Sequence, residues 1–275
     1  MSAPRNCAAL PIAWRLGRFS IAARPRAAAA CALLLLLVFL LGLAALGMGR
    51  GGLTLARIAE IWIGGQAATA GERLLLDIRL PRVLTGLFVG AALGVSGAVF
   101  QSLSRNPLGS PDLIGFTTGA ATGALLQIVL YGPSITGAAL GATAGGLLTA
   151  AVVWLLARRH GRLGSQRLVL IGIGAGAMLH AVNGLLLAKG NLDNAILANL
   201  WLAGSLNARA WTHAWLAIGA AVVFIPPVLL CARRLAILEM GDDLASQLGV
   251  PVEGLRLGMV LCAVMLASLA TGAAG

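Results

Sequence analysis

The fold follows from residues 113–157, LIGFTTGAATGALLQIVLYGPSITGAALGATAGGLLTAAVVWLLA, a run of 45 residues without Asp, Glu, Lys or Arg. A helix needs about 20 apolar residues to cross the hydrocarbon core of a bilayer, so this run is too long for a single crossing. Tyr131-Gly132-Pro133-Ser134 interrupts it near the middle with strong turn residues. The run therefore predicts two membrane helices joined by a tight turn.

Five further runs without charged residues complete the pattern: 27–49, 83–104, 168–188, 210–232 and 257–275. The 275-residue chain is 59% hydrophobic and only 11% charged, whereas roughly a quarter of the residues of a soluble domain are charged. We therefore predict an all-α fold, a polytopic membrane helix bundle with seven spans. Residues 1–26 are expected to form a basic cytoplasmic tail, and residues 27–275 the membrane domain.

The first apolar run could instead belong to a secretory signal peptide, since basic residues precede it. Its apolar core of 23 residues is longer than that of a signal peptide, and Arg50-Gly51-Gly52 is a poor cleavage site. We therefore expect a retained first helix. The net charge of +11 does not indicate nucleic-acid binding, because the arginines lie in short clusters between apolar runs and not on one basic element.

The distribution of Lys and Arg predicts the orientation of the bundle. With the N-terminus in the cytoplasm, 13 of the 20 basic residues lie in cytoplasmic segments and 7 in outer segments. Residues 50–82, in the first outer segment, hold five of those seven. Membrane topology alone does not explain this outer excess.

Glycines recur every fourth residue in three of the predicted spans: Gly86, Gly90 and Gly94; Gly137, Gly141 and Gly145; Gly172 and Gly176. Small residues at this spacing line one face of a helix and allow a neighbouring backbone to approach closely. The pattern favours a tightly packed bundle over a set of independent anchors.

Two short polar segments flank the second span. RLPR at 79–82 places two arginines at its start, where they can either anchor in lipid headgroups or bind an acidic partner. SRNPLGSPD at 104–112 follows its end, with two prolines within five residues. This composition predicts a rigid turn, which is either a plain connector or a constriction at the mouth of a pore.

A third segment, DDLASQLG at 242–249, precedes the last span. We expect Asp242 or Asp243 to cap a short helix there, and Gly249 to end it. The apolar edge of that helix, Leu244 and Leu248, can lie on lipid or dock a cytoplasmic protein.

Together and in this order, these segments resemble the permease subunits of the FecCD type, which serve binding-protein-dependent ABC importers for ferric siderophores, haem and cobalamin. The resemblance extends from about residue 76 to residue 275. It rests on five stretches: RLPR (79–82), GAAL (90–93), RNPL (105–108), WLAGSL (201–206) and DDLASQLG (242–249). Each stretch is weak alone, but five in order at compatible spacing are specific.

The resemblance implies a role for each group of residues. Arg79 and Arg82 would meet glutamates of a periplasmic substrate-binding protein, which would also explain the outer basic excess. Asn106 and Leu108 would form part of a cytoplasmic gate. The helix that couples to the ATPase would span 242–249, and its candidate residues are Asp242, Asp243, Ala245, Leu248 and Gly249.

The implied protein is a transport subunit of the bacterial inner membrane, not an enzyme and without a cofactor. Its partners would be cytoplasmic ABC ATPase subunits, a periplasmic binding protein and a second permease subunit, as a homodimer or a heterodimer in the lipid bilayer. Residues 201–209 look most like the ferric-siderophore branch, with a catecholate such as ferric enterobactin as the specific candidate; haem and cobalamin are the alternatives. FecCD-type permeases have ten membrane helices, so seven imply a C-terminally truncated bundle.

Alternative functions make different demands on the sequence. An ion-coupled secondary transporter would need ionisable residues inside the spans, but the apolar runs contain no Asp or Glu. A membrane enzyme or a metal site would need clustered His, Asp or Cys, and the four cysteines show no such spacing. The chain has no GxxxxGK[ST] motif, so nucleotide would be bound by a partner. A non-transporting assembly piece remains a further alternative.

Two polar residues lie within the fifth predicted span. His180 and Asn183 are three residues apart and therefore share a helical face. They are candidates for lining the transport path, and a structural hydrogen bond between helices is the alternative.

Overall fold

The computed structural model describes residues 12–16, 19–23, 25–47, 73, 75–112, 114–132, 134–159, 162–163, 165–207 and 209–275. The chain divides into two compact units, Met1–Arg79 and Leu80–Gly275. In the first unit, strands β1 (Ile12–Leu16) and β2 (Phe19–Ala23) pair as an antiparallel hairpin. They belong to the segment 1–26 that we predict to be a cytoplasmic tail; the rest of that segment lies largely outside the described residues.

The first unit also contains one long apolar helix, α1 (Pro25–Gly47). Proline is favourable at a first helical position, because its missing N–H would be unpaired there in any case. The leucines between residues 33 and 41 of α1 are exposed, as expected of a helix that faces lipid, whereas Leu46 near its end is buried. A π-helical turn, Leu75–Arg79, belongs to the same unit.

Among its described residues, the second unit consists of helices, their connecting segments and one pair of short antiparallel strands. These strands are β3 (Arg158–Arg159) and β4 (Arg162–Leu163). Its helices in chain order are α2 (Leu80–Ser104), α3 (Phe116–Tyr131), α4 (Ile135–Ala157), α5 (Ser165–Lys189), α6 (Leu192–Ala203), α7 (Trp211–Glu239), α8 (Asp242–Gln247) and α9 (Val252–Ala274).

Six of the described helices are long and apolar enough to cross a membrane: Pro25–Gly47, Leu75–Ser104, Ile135–Ala157, Gln166–Lys189, Trp211–Glu239 and Val252–Ala274. The helix Phe116–Tyr131 is apolar but shorter. Each of the seven predicted spans is thus a helix, which confirms the all-α membrane bundle. The predicted turn in the middle of residues 113–157 is present as well, since Gly132 has a φ of 87° and the Ser134 Oγ accepts a hydrogen bond from the Gly137 N–H at 3.3 Å.

Several predicted boundaries are wrong in the same way, and α7 and α9 are the clearest cases. Helix α7 continues to Glu239 and α9 begins at Val252, so Arg233, Arg234 and Arg256 belong to helices and not to connecting segments. A charged residue ends an apolar run in the sequence, but it does not end a helix. Arg233 and Arg234 remain exposed, whereas Arg256 is buried.

Helix α9 lies at the centre of the second unit and packs against α2, α4 and α7. More than half of its most apolar window is buried, the largest share among the six candidate spans. One polar contact crosses its packing interface: the Ser96 hydroxyl of α2 donates to the Ala263 carbonyl at 2.7 Å. This contact satisfies a buried hydroxyl in a region that water does not reach.

The predicted glycine packing is confirmed between α3 and α4. A Cβ added at Gly123 would lie 2.0 Å from the Gly141 carbonyl oxygen, and one added at Gly145 would lie 2.2 Å from the Gly119 carbonyl oxygen. The two backbones therefore touch directly. The prediction is wrong for Gly90 and Gly94 of α2, where an added Cβ would meet no atom within 4 Å.

We expect Gly123→Ala to lower the thermal stability of the protein in detergent, because the methyl group would force α3 and α4 apart. Overpacking of this kind costs about 1–3 kcal/mol. Gly90→Ala is the matched control, since it adds the same methyl group to a helix where there is space. Equal melting temperatures for the two variants would contradict the packing described here.

Candidate functional site

The end of α2 is closed by an unusual residue. The Asn106 N–H donates to the Gln101 carbonyl at 3.2 Å, and the Arg105 N–H donates to the Ser102 carbonyl at 3.2 Å. This pair of bonds is the Schellman pattern, which usually places glycine where Arg105 lies. Arg105 has a φ of 52° and is the one residue other than glycine with a positive φ among those described. The left-handed conformation costs an L-residue about 1–2 kcal/mol.

The turn that follows is held by its own hydrogen bonds. The Asn106 Oδ1 accepts from the Leu108 N–H at 3.0 Å, and the Asn106 carbonyl accepts from the Gly109 N–H at 2.9 Å. The Thr117 hydroxyl donates to the Asp112 carboxylate. These contacts make residues 106–112 the rigid turn that the two prolines predict. Leu108 stands out from it, 73% exposed.

Helix α8 ends as predicted but does not begin as predicted. Gly249 has a φ of 78° and forms a Schellman end in which the Val250 N–H donates to the Ala245 carbonyl at 3.0 Å. At the start, Gly241 is the N-cap and no side chain caps the helix. The expected capping by Asp242 or Asp243 is therefore wrong, because both residues lie in the first turn of α8.

The two faces of α8 differ in burial. Ala245 and Val250 are buried in the core of the second unit. Leu244 and Leu248 are exposed, Leu248 by 64%. The helix is thus anchored through one face, while the other presents the apolar edge that the sequence predicts.

The Asp242 carboxylate is shared by two arginines from different elements. Arg105, at the end of α2, forms an ion pair with the Asp242 Oδ1. Arg256, in the first turns of α9, donates from Nη2 to both carboxylate oxygens, at 2.9 and 3.2 Å. The Glu253 carboxylate lies 3.7 Å from the Arg256 Nη1. We call Arg105, Asp242 and Arg256 the α8 junction.

Burial is distributed unevenly over the α8 junction. The Arg256 side chain is 3% exposed, whereas those of Arg105 and Asp242 are 36% and 47% exposed. Partial burial raises the pKa of the Asp242 carboxyl, but the hydrogen bonds and charges of Arg256 and Arg105 outweigh this effect and hold the pKa below its ordinary range. Asp242 is therefore ionised at neutral pH and balances the buried Arg256 charge.

A further contact joins the end of α2 to the end of α7. The Ser102 hydroxyl donates to the Glu239 carboxylate at 2.5 Å. Three helix ends and the turn at 106–112 thus meet around α8. Among the described residues there is no group of three or more His, Cys, Asp or Glu that could hold a metal ion.

The two RLPR arginines lie in different surroundings. Arg82, in the first turn of α2, is exposed. Arg79 belongs to the first unit, where its Nη1 donates to the Leu46 carbonyl at the end of α1, at 3.2 Å. Arginine is well suited to such a carbonyl, because the last turn of a helix leaves its acceptors without backbone partners.

A further arginine closes the end of the bundle where α2 begins. The segment 204–207 reaches this end, since Leu206 Cδ1 would lie 3.0 Å from a Cβ added at Gly86. Arg209 Nη2 donates to the Ala274 carbonyl at 2.7 Å, and Arg209 Nε to the Ser205 carbonyl at 2.7 Å. Burial lowers the pKa of the Arg209 guanidinium, which nevertheless stays charged at neutral pH.

His180 and Asn183 are not brought into one environment. Asn183 is buried, and its Oδ1 is one of three buried side-chain atoms without a hydrogen-bond partner among the described residues. His180, three residues earlier in α5, is exposed. The helical spacing is as predicted, but only Asn183 faces the interior of the unit.

The sequence indicates neither Arg105 nor Arg256 as a site residue. Arg256 counts only as a cytoplasmic positive charge there, since it ends an apolar run. Its partner Asp242 lies 14 residues earlier, beyond any local helical spacing. The one usable signal for this site is Arg105 itself, which directly follows α2 at a position where glycine is the usual residue.

The sequence profile of the FecCD transport family matches residues 32–275 of the chain. The ferric enterobactin transport system permease protein FepG of Escherichia coli K12 is 48% identical over 211 residues, which are 77% of this chain and 64% of that protein. The achromobactin transport system permease protein CbrC of Dickeya dadantii is 34% identical over 262 residues, 94% of this chain and 74% of that protein. The chain thus spans about two thirds to three quarters of the length of these relatives.

One solved structure resembles the chain over most of its length. It is described as an inward-facing conformation of a metal-chelate type ABC transporter, with 28% sequence identity and a TM-score of 0.77. The match covers 91% of this chain and 76% of the other.

We expect Asp242→Asn to destabilise the protein, because the buried Arg256 guanidinium would lose the carboxylate that accepts two of its hydrogen bonds. The loss is about 1–3 kcal/mol, seen as a lower melting temperature in detergent at neutral pH. Asp243→Asn is the matched control, since Asp243 is exposed and forms no ion pair among the described residues. If both variants melt alike, the α8 junction does not stabilise the fold.

The difference in melting temperature between the unmodified protein and Asp242→Asn should depend on pH. Because the pKa of Asp242 is lower in the folded protein than its ordinary value, its stabilising effect is complete at neutral pH. The effect is lost as the pH falls through the ordinary carboxyl range towards the lowered pKa. Asp242→Asn and the unmodified protein should therefore converge in melting temperature on acidification.

Proposed function

Since the chain belongs to the FecCD transport family, we propose that it is the membrane permease subunit of a binding-protein-dependent ABC importer of the bacterial inner membrane. The observation that carries this proposal is the joining of α8 to the turn at 106–112 through Arg105 and Asp242. A helix with an exposed apolar edge is thereby tied to the residue that directly precedes the turn from which Leu108 projects.

We assign the exposed edge of α8 to an ATPase partner. Leu244 and Leu248 present apolar surface, while Asp243 stands beside them in the first turn of the helix. Ala245 and Gly249 fix the helix to the bundle and end it. The other face of α8 is buried in the core. A partner that binds the exposed edge would therefore move α8 together with the residues packed against that face. ATP would be hydrolysed in that partner.

We assign Asn106 and Leu108 to a gate. Asn106 holds the turn through two hydrogen bonds, and Leu108 projects from it into open space. A second permease subunit would supply the surface against which Leu108 closes. The end of the bundle that carries α8 and this turn would then face the cytoplasm, with the N-terminus on the same side.

We place substrate delivery at the opposite end of the bundle. Arg82 is exposed there and suits an acidic patch on a periplasmic substrate-binding protein; Arg79, the other arginine of the RLPR segment, is a candidate for the same role. Between the two ends, the buried Asn183 is a better candidate for lining the path than the exposed His180. Its unpaired Oδ1 is a polar group inside an apolar unit, where such groups commonly mark a pathway.

The proposed substrate is a ferric siderophore of the catecholate type. The 48% identity to a permease named for ferric enterobactin supports this choice, and the relative named for achromobactin supports the wider siderophore class. An ion-coupled secondary transporter is disfavoured by the position of the carboxylates. In the described part of the chain, all of them lie in connecting segments, in the short helices or turns, or within the end turns of a long helix: Asp77, Asp112, Asp193, Glu239, Asp242, Asp243 and Glu253.

We expect spheroplasts that carry the full-length gene to take up radiolabelled iron supplied as a ferric catecholate with its binding protein, and spheroplasts of a deletion strain to lose this uptake. Depletion of ATP should abolish uptake, because the energy comes from the partner ATPase. A proton ionophore at constant ATP should leave it unchanged. Uptake that follows the proton gradient and not ATP would instead establish a secondary transporter. If deletion leaves catecholate uptake intact, haem and cobalamin are tested in the same assay.

Arg82→Glu should weaken capture of the loaded binding protein, because an acidic side chain would then face an acidic patch. The loss in affinity should be about ten-fold or more at low salt and smaller at high salt. Arg234→Glu reverses the same charge at the other end of the bundle and is the control. Unchanged affinity for Arg82→Glu in a pull-down would remove Arg82 from the docking surface.

A further inference from the structure

The α8 junction is built around one carboxylate with two unequal partners. Arg256 is buried and donates to both oxygens of Asp242, so this arm is enclosed by protein. Arg105 reaches the same carboxylate from the solvent side, where both side chains are more than a third exposed. Breaking the inner arm is costly, because it takes the carboxylate that accepts two hydrogen bonds away from a buried charge. Breaking the outer arm exposes both partners to water at little cost.

The backbone of Arg105 adopts a conformation for which glycine is the usual residue. A Schellman end favours glycine, and an arginine there adopts a left-handed conformation that L-residues avoid. Glycine would close α2 without strain, but it would bring no charge to Asp242. The strained conformation is retained together with an ion pair to α8.

Arg105 also lies at the point where α2 becomes the turn. Ser102, one helical turn earlier, is tied to Glu239 of α7. Asn106, the next residue, holds the turn from which Leu108 projects. A displacement of α8 therefore reaches the turn through Arg105, while the end of α2 before it stays attached to α7.

We propose that Arg105 is a positioning residue that ties the turn at 106–112 to α8 through a releasable ion pair, and that Arg256 holds Asp242 in place while this pair opens and closes. This inference rests on the proposed function, in which α8 receives the movement of an ATPase and the turn is the gate. It assigns the connection between the two to the Arg105 side chain.

The test uses the full-length permease, reconstituted in proteoliposomes with its ATPase and its loaded binding protein. Arg105→Gln should lower the number of ferric chelates imported per ATP hydrolysed about two- to five-fold, as expected for the loss of a partly exposed ion pair. Its melting temperature should stay unchanged, because the inner arm is intact. Arg105→Lys keeps the charge and should restore most of the ratio. Arg234→Gln, which removes an exposed arginine that forms no ion pair within the described part of the chain, is the control.

Asp242→Asn removes both arms, so, unlike Arg105→Gln, it should lower the transport ratio and the melting temperature together. Adding Arg105→Gln to Asp242→Asn should lower the ratio no further, because the partner is already lost. An unchanged ratio in Arg105→Gln, or an additive loss in the double variant, would overturn the inference.

A second readout does not depend on transport. Spin labels at Leu108→Cys and Gln247→Cys, in a background without the four native cysteines, report the distance between the turn and α8. The distance distribution should be narrow with Arg105 and broad with Arg105→Gln. If the assembled importer fails to transport but the distribution broadens, the proposed function fails and the link stands. If it does not broaden, the link itself is refuted.

Discussion

The helices of this bundle are held together where backbones meet, because lipid tails solvate an apolar side chain as well as a neighbouring helix does. The direct contact of Gly123 with Gly141, and of Gly119 with Gly145, sets α3 against α4. Further along α4, Gly146 leaves the space into which Ser268 of α9 projects. Helix α9 can therefore approach α4 closely and still pack against α2 and α7. The α8 junction forms because this packing brings the start of α9 beside the end of α2.

Polar contacts are then concentrated at one end of the second unit. Within the apolar part, a few hydroxyl groups bond to carbonyls, as Ser96 does across to Ala263. Full charges occur where helices end, and there they join different elements: Arg105, Asp242 and Arg256 link α2, α8 and α9, while Ser102 and Glu239 link α2 and α7. A structure that only needed stability would not require a buried guanidinium, since apolar residues of similar volume serve as well or better.

The sequence predicts the fold well because each membrane span is a local property. Apolar runs of the right length identify all seven helices, and glycine identifies the ends of α3 and α8. The contacts that define the candidate site are not local. Asp242 looks like a capping residue by position, yet its carboxylate binds Arg256, 14 residues further along. Arg256 looks like a topology signal, yet it is buried because that carboxylate balances it. Similarly, the spacing of Gly90 and Gly94 matches that of Gly141 and Gly145, but spacing alone does not reveal whether a second helix lies opposite.

Helix α9 is fixed by arginines near both of its ends. Arg256 connects its first turns to α8, and Arg209 connects its last turn to the segment that follows α6. An α-helix of 23 residues is about 34 Å long, close to the thickness of the hydrocarbon core. A rod of this length neither shortens nor bends easily, so a tilt at one tip is accompanied by a shift at the other. Helix α9 thereby connects the two surfaces of the membrane domain as a stiff rod. One surface carries α8, and the other carries the segment 204–209.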